Sequence, residues 1–154
     1  MKRLFIPIIA LLLVATLFSC GRELPLSASG EIYTDTEGVY ITLSEFYEGE
    51  GGRMLRVLWH NETERTVCFG LDYRVEYLRG GEWVNVCTED YAIPEIACIL
   101  DPESTTEQSY KLKYFNLSKP GKYRIFVNYY LQESPLGGDG GSGTAYAVFE
   151  ALSE

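Results

Sequence analysis

Along most of this chain apolar and polar residues alternate at every second position, in short runs bounded by Gly, Pro, Asn and Asp. That is the period of strands with one buried face. Val39, Ile41 and Leu43 alternate with Tyr40 and Thr42. After a turn at 49–52, Leu55, Val57 and Trp59 alternate with Met54, Arg56, Leu58 and His60, ending at Asn61-Glu62-Thr63. Leu71, Tyr73, Val75 and Tyr77 then alternate with Asp72, Arg74 and Glu76 as far as Arg79-Gly80-Gly81, and the chain returns through Trp83 to Val86. This reads as a hairpin whose glycines accept positive φ. Thr88 to Pro94 reads as a loop, 96–100 as a short strand stopped by Asp101-Pro102, and Tyr110, Leu112 and Tyr114 as a strand. Ile125, Val127 and Tyr129 make the next strand. The glycine-rich stretch 137–143 reads as a loop before a last strand over 145–152. From Glu31 onward no segment carries a helical period. Seven to eight strands with half-polar alternation predict an all-β antiparallel sandwich, each sheet with one wet face.

The beginning of the chain follows another pattern. Lys2 and Arg3 precede an apolar run from Phe5 to Phe18, broken only by Pro7 and Thr16 and closing on Leu17-Phe18-Ser19-Cys20-Gly21. The run is short for a spanning helix and carries the flanks of an export signal. Its end resembles a bacterial lipobox. That resemblance implies cleavage before Cys20 and acylation of the Cys20 thiol. Residues 1–19 are then a lipoprotein signal peptide, 20–30 a lipidated N-terminus and a small, polar tether, and 31–154 the sandwich domain. Acyl chains on Cys20 would hold the protein to a membrane on its extracytoplasmic side. Gly21 and Arg22 follow the cysteine, with no Asp, so in a cell with two membranes the outer one is expected.

Charge and cysteines narrow the partners. Lys2 and Arg3 are the only charges in residues 1–19, so the mature chain keeps 11 of the 13 basic residues and all 22 acidic ones. An acidic surface of that kind repels nucleic acid and anionic headgroups, so no nucleic-acid partner is expected. With Cys20 acylated, Cys68, Cys87 and Cys98 leave room for one internal bridge. Cys87–Cys98, which flank a loop, is the favoured pair; Cys68–Cys98 and three reduced thiols are the alternatives. No two of these cysteines have zinc-ligand spacing, and neither a metal nor a cofactor is expected.

At Pro120-Gly121-Lys122-Tyr123-Arg124-Ile125 a corner precedes an inward tyrosine on the penultimate strand, which resembles the tyrosine corner of immunoglobulin-like domains. The wider order is similar to a bacterial immunoglobulin-like domain family found in secreted lipoproteins. It comprises Leu55-x-Val57-x-Trp59-x-Asn61, Phe69-Gly70, Tyr73 to Tyr77, Gly80-Gly81-Glu82-Trp83, Leu100-Asp101-Pro102 and the corner itself, across about residues 38–130. The resemblance implies an immunoglobulin-like β-sandwich, a structural role for Tyr123 and no reaction. Val57 and Ile125 stand where antibody-type domains carry their inter-sheet cysteines, and Pro102-Glu103 replaces the family's Pro-Gly at the middle turn.

Catalysis would need a nucleophile with a base, paired carboxylates or a metal. His60, the single histidine, lies on the Arg56/Leu58/His60 face opposite the apolar one, which reads as an exposed structural residue. Glu45, Glu48 and Glu50 near one turn, and Asp139, could hold calcium but lack the EF-hand spacing and read as solvated. The 12 tyrosines suit either half-buried strand positions or a binding face, with Tyr129-Tyr130 and the 137–143 loop as a candidate tip. No catalytic residue is assigned. The expected role is a non-catalytic binding or structural module of the envelope, its partner an unidentified envelope protein or glycan. The alternative is a proteinase inhibitor presenting Thr88–Pro94 to a protease cleft.

Overall fold

The computed structural model describes residues 23–88, 91, 96–132 and 139–153; Cys20 and the signal segment lie outside them. Among the described residues there are nine strands and no helix. They are β1 (Leu26–Thr34), β2 (Val39–Gly49), β3 (Gly52–Asn61), β4 (Thr66–Arg79), β5 (Glu82–Asn85), β6 (Ala97–Leu100), β7 (Ser104–Lys111), β8 (Gly121–Gln132) and β9 (Asp139–Ala151). The larger sheet runs β1-β9-β8-β4-β5, with β6 pairing the same edge of β4 further along; the smaller is β2-β3-β7. All pairings are antiparallel. The architecture is an immunoglobulin-like β-sandwich.

The alternation fixes what faces inward. On β3, Leu55, Val57, Trp59 and Asn61 are buried while Arg56, Leu58 and His60 are half-exposed. On β8, Tyr123, Ile125, Val127, Tyr129 and Leu131 are buried in the same way. Trp59 spans the gap between sheets: it stacks on Phe69 at 4.2 Å, meets Tyr129 edge-on at 6.1 Å, and donates its indole N–H to the Tyr110 hydroxyl at 3.1 Å. A buried indole needs such an acceptor. Val57 and Ile125, fully buried on facing sheets, fill the inter-sheet space by apolar packing where a disulfide could have spanned it.

Four expectations are corrected. The tether reading of residues 20–30 gives way at Leu26, because Leu26 and Ser27 are already paired with Ala151 and Glu150. The strand around Tyr110–Tyr114 lies upstream, at Ser104–Lys111, pairing Ser104 with Asn61 and Lys111 with Met54. Its first residues are Ser and Thr, which give little hydrophobic signal. The 137–143 loop is strand from Asp139 on. Gly143 is required there: a Cβ would stand 2.4 Å from the Tyr129 hydroxyl. The strand count is nine, not seven to eight.

Candidate functional site: the outer face of the larger sheet

At the corner before β8, the Tyr123 hydroxyl donates to the Lys119 carbonyl at 2.8 Å, four residues upstream. The ring stacks on Phe149 at 5.6 Å and is itself buried, which pushes its hydroxyl pKa up. With Tyr123 fixed inward, the pleat turns Arg124 outward. Its guanidinium sits 4.6 Å from the Trp83 ring of β5 and 4.5 Å from the Tyr146 ring of β9. It also pairs with Glu76 of β4 through Nε at 2.6 Å and Nη2 at 2.5 Å. Tyr146 stacks in turn on Tyr33 of β1 at 4.9 Å. Trp83, Arg124, Tyr146 and Tyr33 therefore form a ladder across the sheet, each planar group resting against the next. Both carboxylate and guanidinium are only 16% exposed, so this pair is more ordered than a surface ion pair.

Further along the same face, strand register sets Ile99 of β6 beside Cys68 of β4, and Cys68 beside Tyr130 of β8. Ile99 is 66% exposed and Tyr130 60% exposed, on flanking and central strands where alternation would place polar side chains. This strip holds the two most exposed large apolar side chains among the described residues, and such departures from a wet outer face mark contact surfaces more often than isolated apolar residues do. The arrangement offers a surface with apolar and tyrosine contacts.

The residues singled out in the sequence fall as follows. Tyr129 is a core residue, its hydroxyl 3.2 Å from Thr34 Oγ1, whereas Tyr130 is surface. They do not form a common tip, since neighbours on a strand point to opposite faces. His60 is held by Thr42 Oγ1 at 2.9 Å and Thr105 Oγ1 at 3.4 Å, and stacks on Tyr40 at 4.6 Å. It is thus half-buried and tied into the outer face of the smaller sheet. Glu45 is ion-paired with Arg56. Among the described residues no three metal-ligating side chains converge.

Cys68, Cys87 and Cys98 are thiols, and the favoured Cys87–Cys98 bridge is not formed. Cys98 lies opposite Phe69 near the start of β4, whereas Cys87 bridges to Phe115 just after Val86 has bonded Val75. The stretch of β4 between Phe69 and Val75 separates them. The runner-up, Cys68–Cys98, fails for another reason. Cys68 shares the outer face with Ile99, while Cys98 shares the inner face with Phe69. Burial, with the nearby Cys68 second, pushes the Cys98 thiol up.

Of the loop at Thr88–Pro94, only Thr88 and Tyr91 are described. Tyr91 donates to the Tyr73 carbonyl at 2.7 Å and stacks on Tyr114 at 4.5 Å; burial pushes its hydroxyl up to about 12. What sequence reasoning missed was the ladder. Its members come from separated positions on four strands, with the partner Glu76 on a fifth, and only cross-strand register brings them together.

No curated protein matches the chain. Residues 35–139 match the bacterial Ig-like domain family. That span runs from the end of β1 to the first residue of β9 and takes in Trp59, Asn61 and the Tyr123 corner. With more than half of its length matched by that family, this chain belongs to the bacterial Ig-like domain family.

Proposed function

We propose that this protein is a membrane-anchored lipoprotein, acylated at Cys20, whose Ig-like domain is a non-catalytic module that binds an envelope protein through the outer face of its larger sheet. The observation that carries the reading is the row Ile99–Cys68–Tyr130, exposed at Ile99 and Tyr130 and further along the same face as the Arg124 ladder. A protein suits this face better than a glycan. Sugar rings dock on open aromatic faces, and here the faces of Trp83, Tyr146 and Tyr33 already rest on Arg124 or on one another. Tyr130 and Ile99 give apolar contact at low conformational cost, as anchor residues of protein interfaces do.

The test is cross-linked capture from envelope extracts of the producing cell, comparing the full chain with an Ile99→Ser/Tyr130→Ser variant. Both positions are exposed, so melting should shift by less than about 2 °C. The expected result is at least about a tenfold loss of the captured partner. Equal capture by both proteins would refute the assignment of this face. Intact-mass analysis of the mature N-terminus tests the anchor.

The inhibitor reading retains one favourable observation, the double anchoring of Tyr91, since an inhibitory loop has to be conformationally fixed. Undiminished activity of a serine-protease panel mixed with the protein would dismiss it.

A further inference from the structure

The two poles of the sandwich differ in charge, and the chain enters at one of them. One pole carries the 49–52 turn, the Gly80-Gly81 hairpin, residues 112–120 and both ends of the described chain, since Leu26 pairs with Ala151 and the Leu152 amide bonds the Pro25 carbonyl at 2.9 Å. The other pole carries 35–38, 61–66 and 101–104. The mature chain has four lysines, Lys111, Lys113, Lys119 and Lys122, and all lie at the entry pole; the first three are exposed. Arg53 and Arg79 join them, opposed by Glu23, Glu31 (paired with Lys122), Glu48, Glu50, Glu82 and Glu150, so the described part of this end is neutral. The far pole holds Asp35, Glu37, Glu62, Glu64, Asp101 and Glu103, all exposed, against Arg65. Among the described residues the net negative charge is therefore concentrated away from the chain's entry point.

The attachment is also short. Glu23 is bridged to Arg53 Nε at 3.2 Å, and Arg53 Nη1 donates to the Leu24 carbonyl at 2.8 Å. From Glu23 onward the chain is clamped to the sandwich. Only Gly21 and Arg22 lie between Glu23 and Cys20. Three residue steps span at most about 11 Å, close to one Debye length at moderate salt. A domain so tied cannot turn its far pole toward the anchor.

We propose that the entry pole rests on anionic bilayer headgroups, with Lys111, Lys113 and Lys119 against the lipid and the strands upright. The acidic pole then points away, and the outer face of the larger sheet is open to the side. This rests on acylation of Cys20. Net charge argues against lipid binding only if it is spread evenly, and here it is not. The far-pole carboxylates lie beyond a Debye length and repel little. The entry pole's own carboxylates offset its cations, so the short attachment rather than net charge holds this pole at the surface.

The test is a footprint of the full, processed chain reconstituted in vesicles of phosphatidylcholine and phosphatidylglycerol. A membrane-impermeant amine reagent reads the lysines, a carbodiimide reads the carboxylates, and peptide mass spectrometry reads both, with detergent-solubilised protein as the reference. Lys111, Lys113 and Lys119 should label at least about fivefold more slowly in vesicles, while Glu62, Glu64 and Asp101 label as in detergent. A second variant, with about fifteen Gly/Ser residues inserted after Gly21, should lose the lysine protection in vesicles of phosphatidylcholine alone. Acylated protein whose lysines label equally in vesicles and detergent would overturn this orientation and leave the anchor standing. An N-terminal peptide without the acyl mass would overturn the anchor, and the orientation with it.

Discussion

Asn61 is a buried polar residue of the sandwich, 1% exposed, at the end of β3 where the chain leaves the smaller sheet. Its Nδ2 donates to the carbonyls of Arg65 at 2.7 Å and Asp101 at 2.9 Å, with the Leu100 carbonyl more distant at 3.4 Å. Its Oδ1 accepts from the Thr63 amide at 3.1 Å and the Thr63 hydroxyl at 2.7 Å. One side chain thus joins the β3–β4 connection to the Asp101-Pro102 turn. Asn61→Ala removes four good hydrogen bonds and strands acceptors whose geometry was built around the amide. A net hydrogen bond contributes about 1 kcal/mol, and a partner left unsatisfied costs more. Water can reach part of the exposed turn, so a loss of about 3 kcal/mol is expected.

For a domain of this size that corresponds to a melting temperature lower by about 10 °C, measurable by calorimetry, with an unchanged denaturant m-value. Thr63→Ala should cost about 1 kcal/mol. The double variant should cost less than the sum, since both changes remove the same Thr63–Asn61 bonds. A loss below about 0.5 kcal/mol for Asn61→Ala, or strict additivity with Thr63→Ala, would refute the reasoning.

Glu103 has φ +51, the left-handed conformation, in the turn after Pro102; Glu103→Gly should stabilise by about 0.5 to 1 kcal/mol in urea unfolding, because relief of Cβ strain exceeds glycine's entropy cost. Gly143→Ala places a Cβ against the Tyr129 hydroxyl and should lower stability by about 2 kcal/mol, with partial recovery in Gly143→Ala/Tyr129→Phe as the check. Burial raises the hydroxyl pKa values of Tyr73 and Tyr110 above their unfolded value of 10.0. Both hydroxyls are neutral in either state well below that value, and above it the unfolded chain ionises while the folded one resists. Their protonated form therefore destabilises the fold progressively as pH rises beyond about 10; tyrosinate absorbance should fall short of the full tyrosine count until alkaline unfolding, then step up. Because Cys68, Cys87 and Cys98 are thiols, dithiothreitol should leave the melting temperature unchanged within about 1 °C.

The parts of the fold legible in the sequence are those where one residue's surroundings decide its type. Leu55, Val57 and Trp59 announce an inward face because their neighbours cannot share it, and Gly80-Gly81 announces a turn, with φ of 60° and 92°. The parts that were not legible depend on partners. β1 begins in Leu26-Ser27-Ala28, a poor strand by propensity, and is held by β9. β7 opens in Ser104-Thr105-Thr106 and is held by β3. The triplets Asn61-Glu62-Thr63 and Asn116-Leu117-Ser118 differ again, because this pattern has a local meaning. Both Asn61 and Asn116 accept from the amide and hydroxyl two residues on, at 3.1 and 2.7 Å and at 3.1 and 2.6 Å. They are turns closed by a side-chain carbonyl.

The candidate face and the core are not independent features of this domain, because β8 builds both. The corner that sends Tyr123 inward obliges Arg124 outward, and the same pleat that buries Ile125, Val127 and Tyr129 sets Phe126, Asn128 and Tyr130 on the other side. Arg124 then orders Trp83, Glu76 and Tyr146, each from a different strand. A contact surface made this way is fixed before any partner arrives, and little side-chain freedom remains to be lost on binding. The most exposed members, Tyr130 and Ile99, lie toward the acidic pole, away from the Lys119-Pro120 corner. If the entry pole stands on lipid, the apolar strip is raised above the headgroups and a protein partner can reach it from the side. Register, corner and attachment point therefore bear on the same question, and the short clamp at Arg53 connects the fold to its orientation.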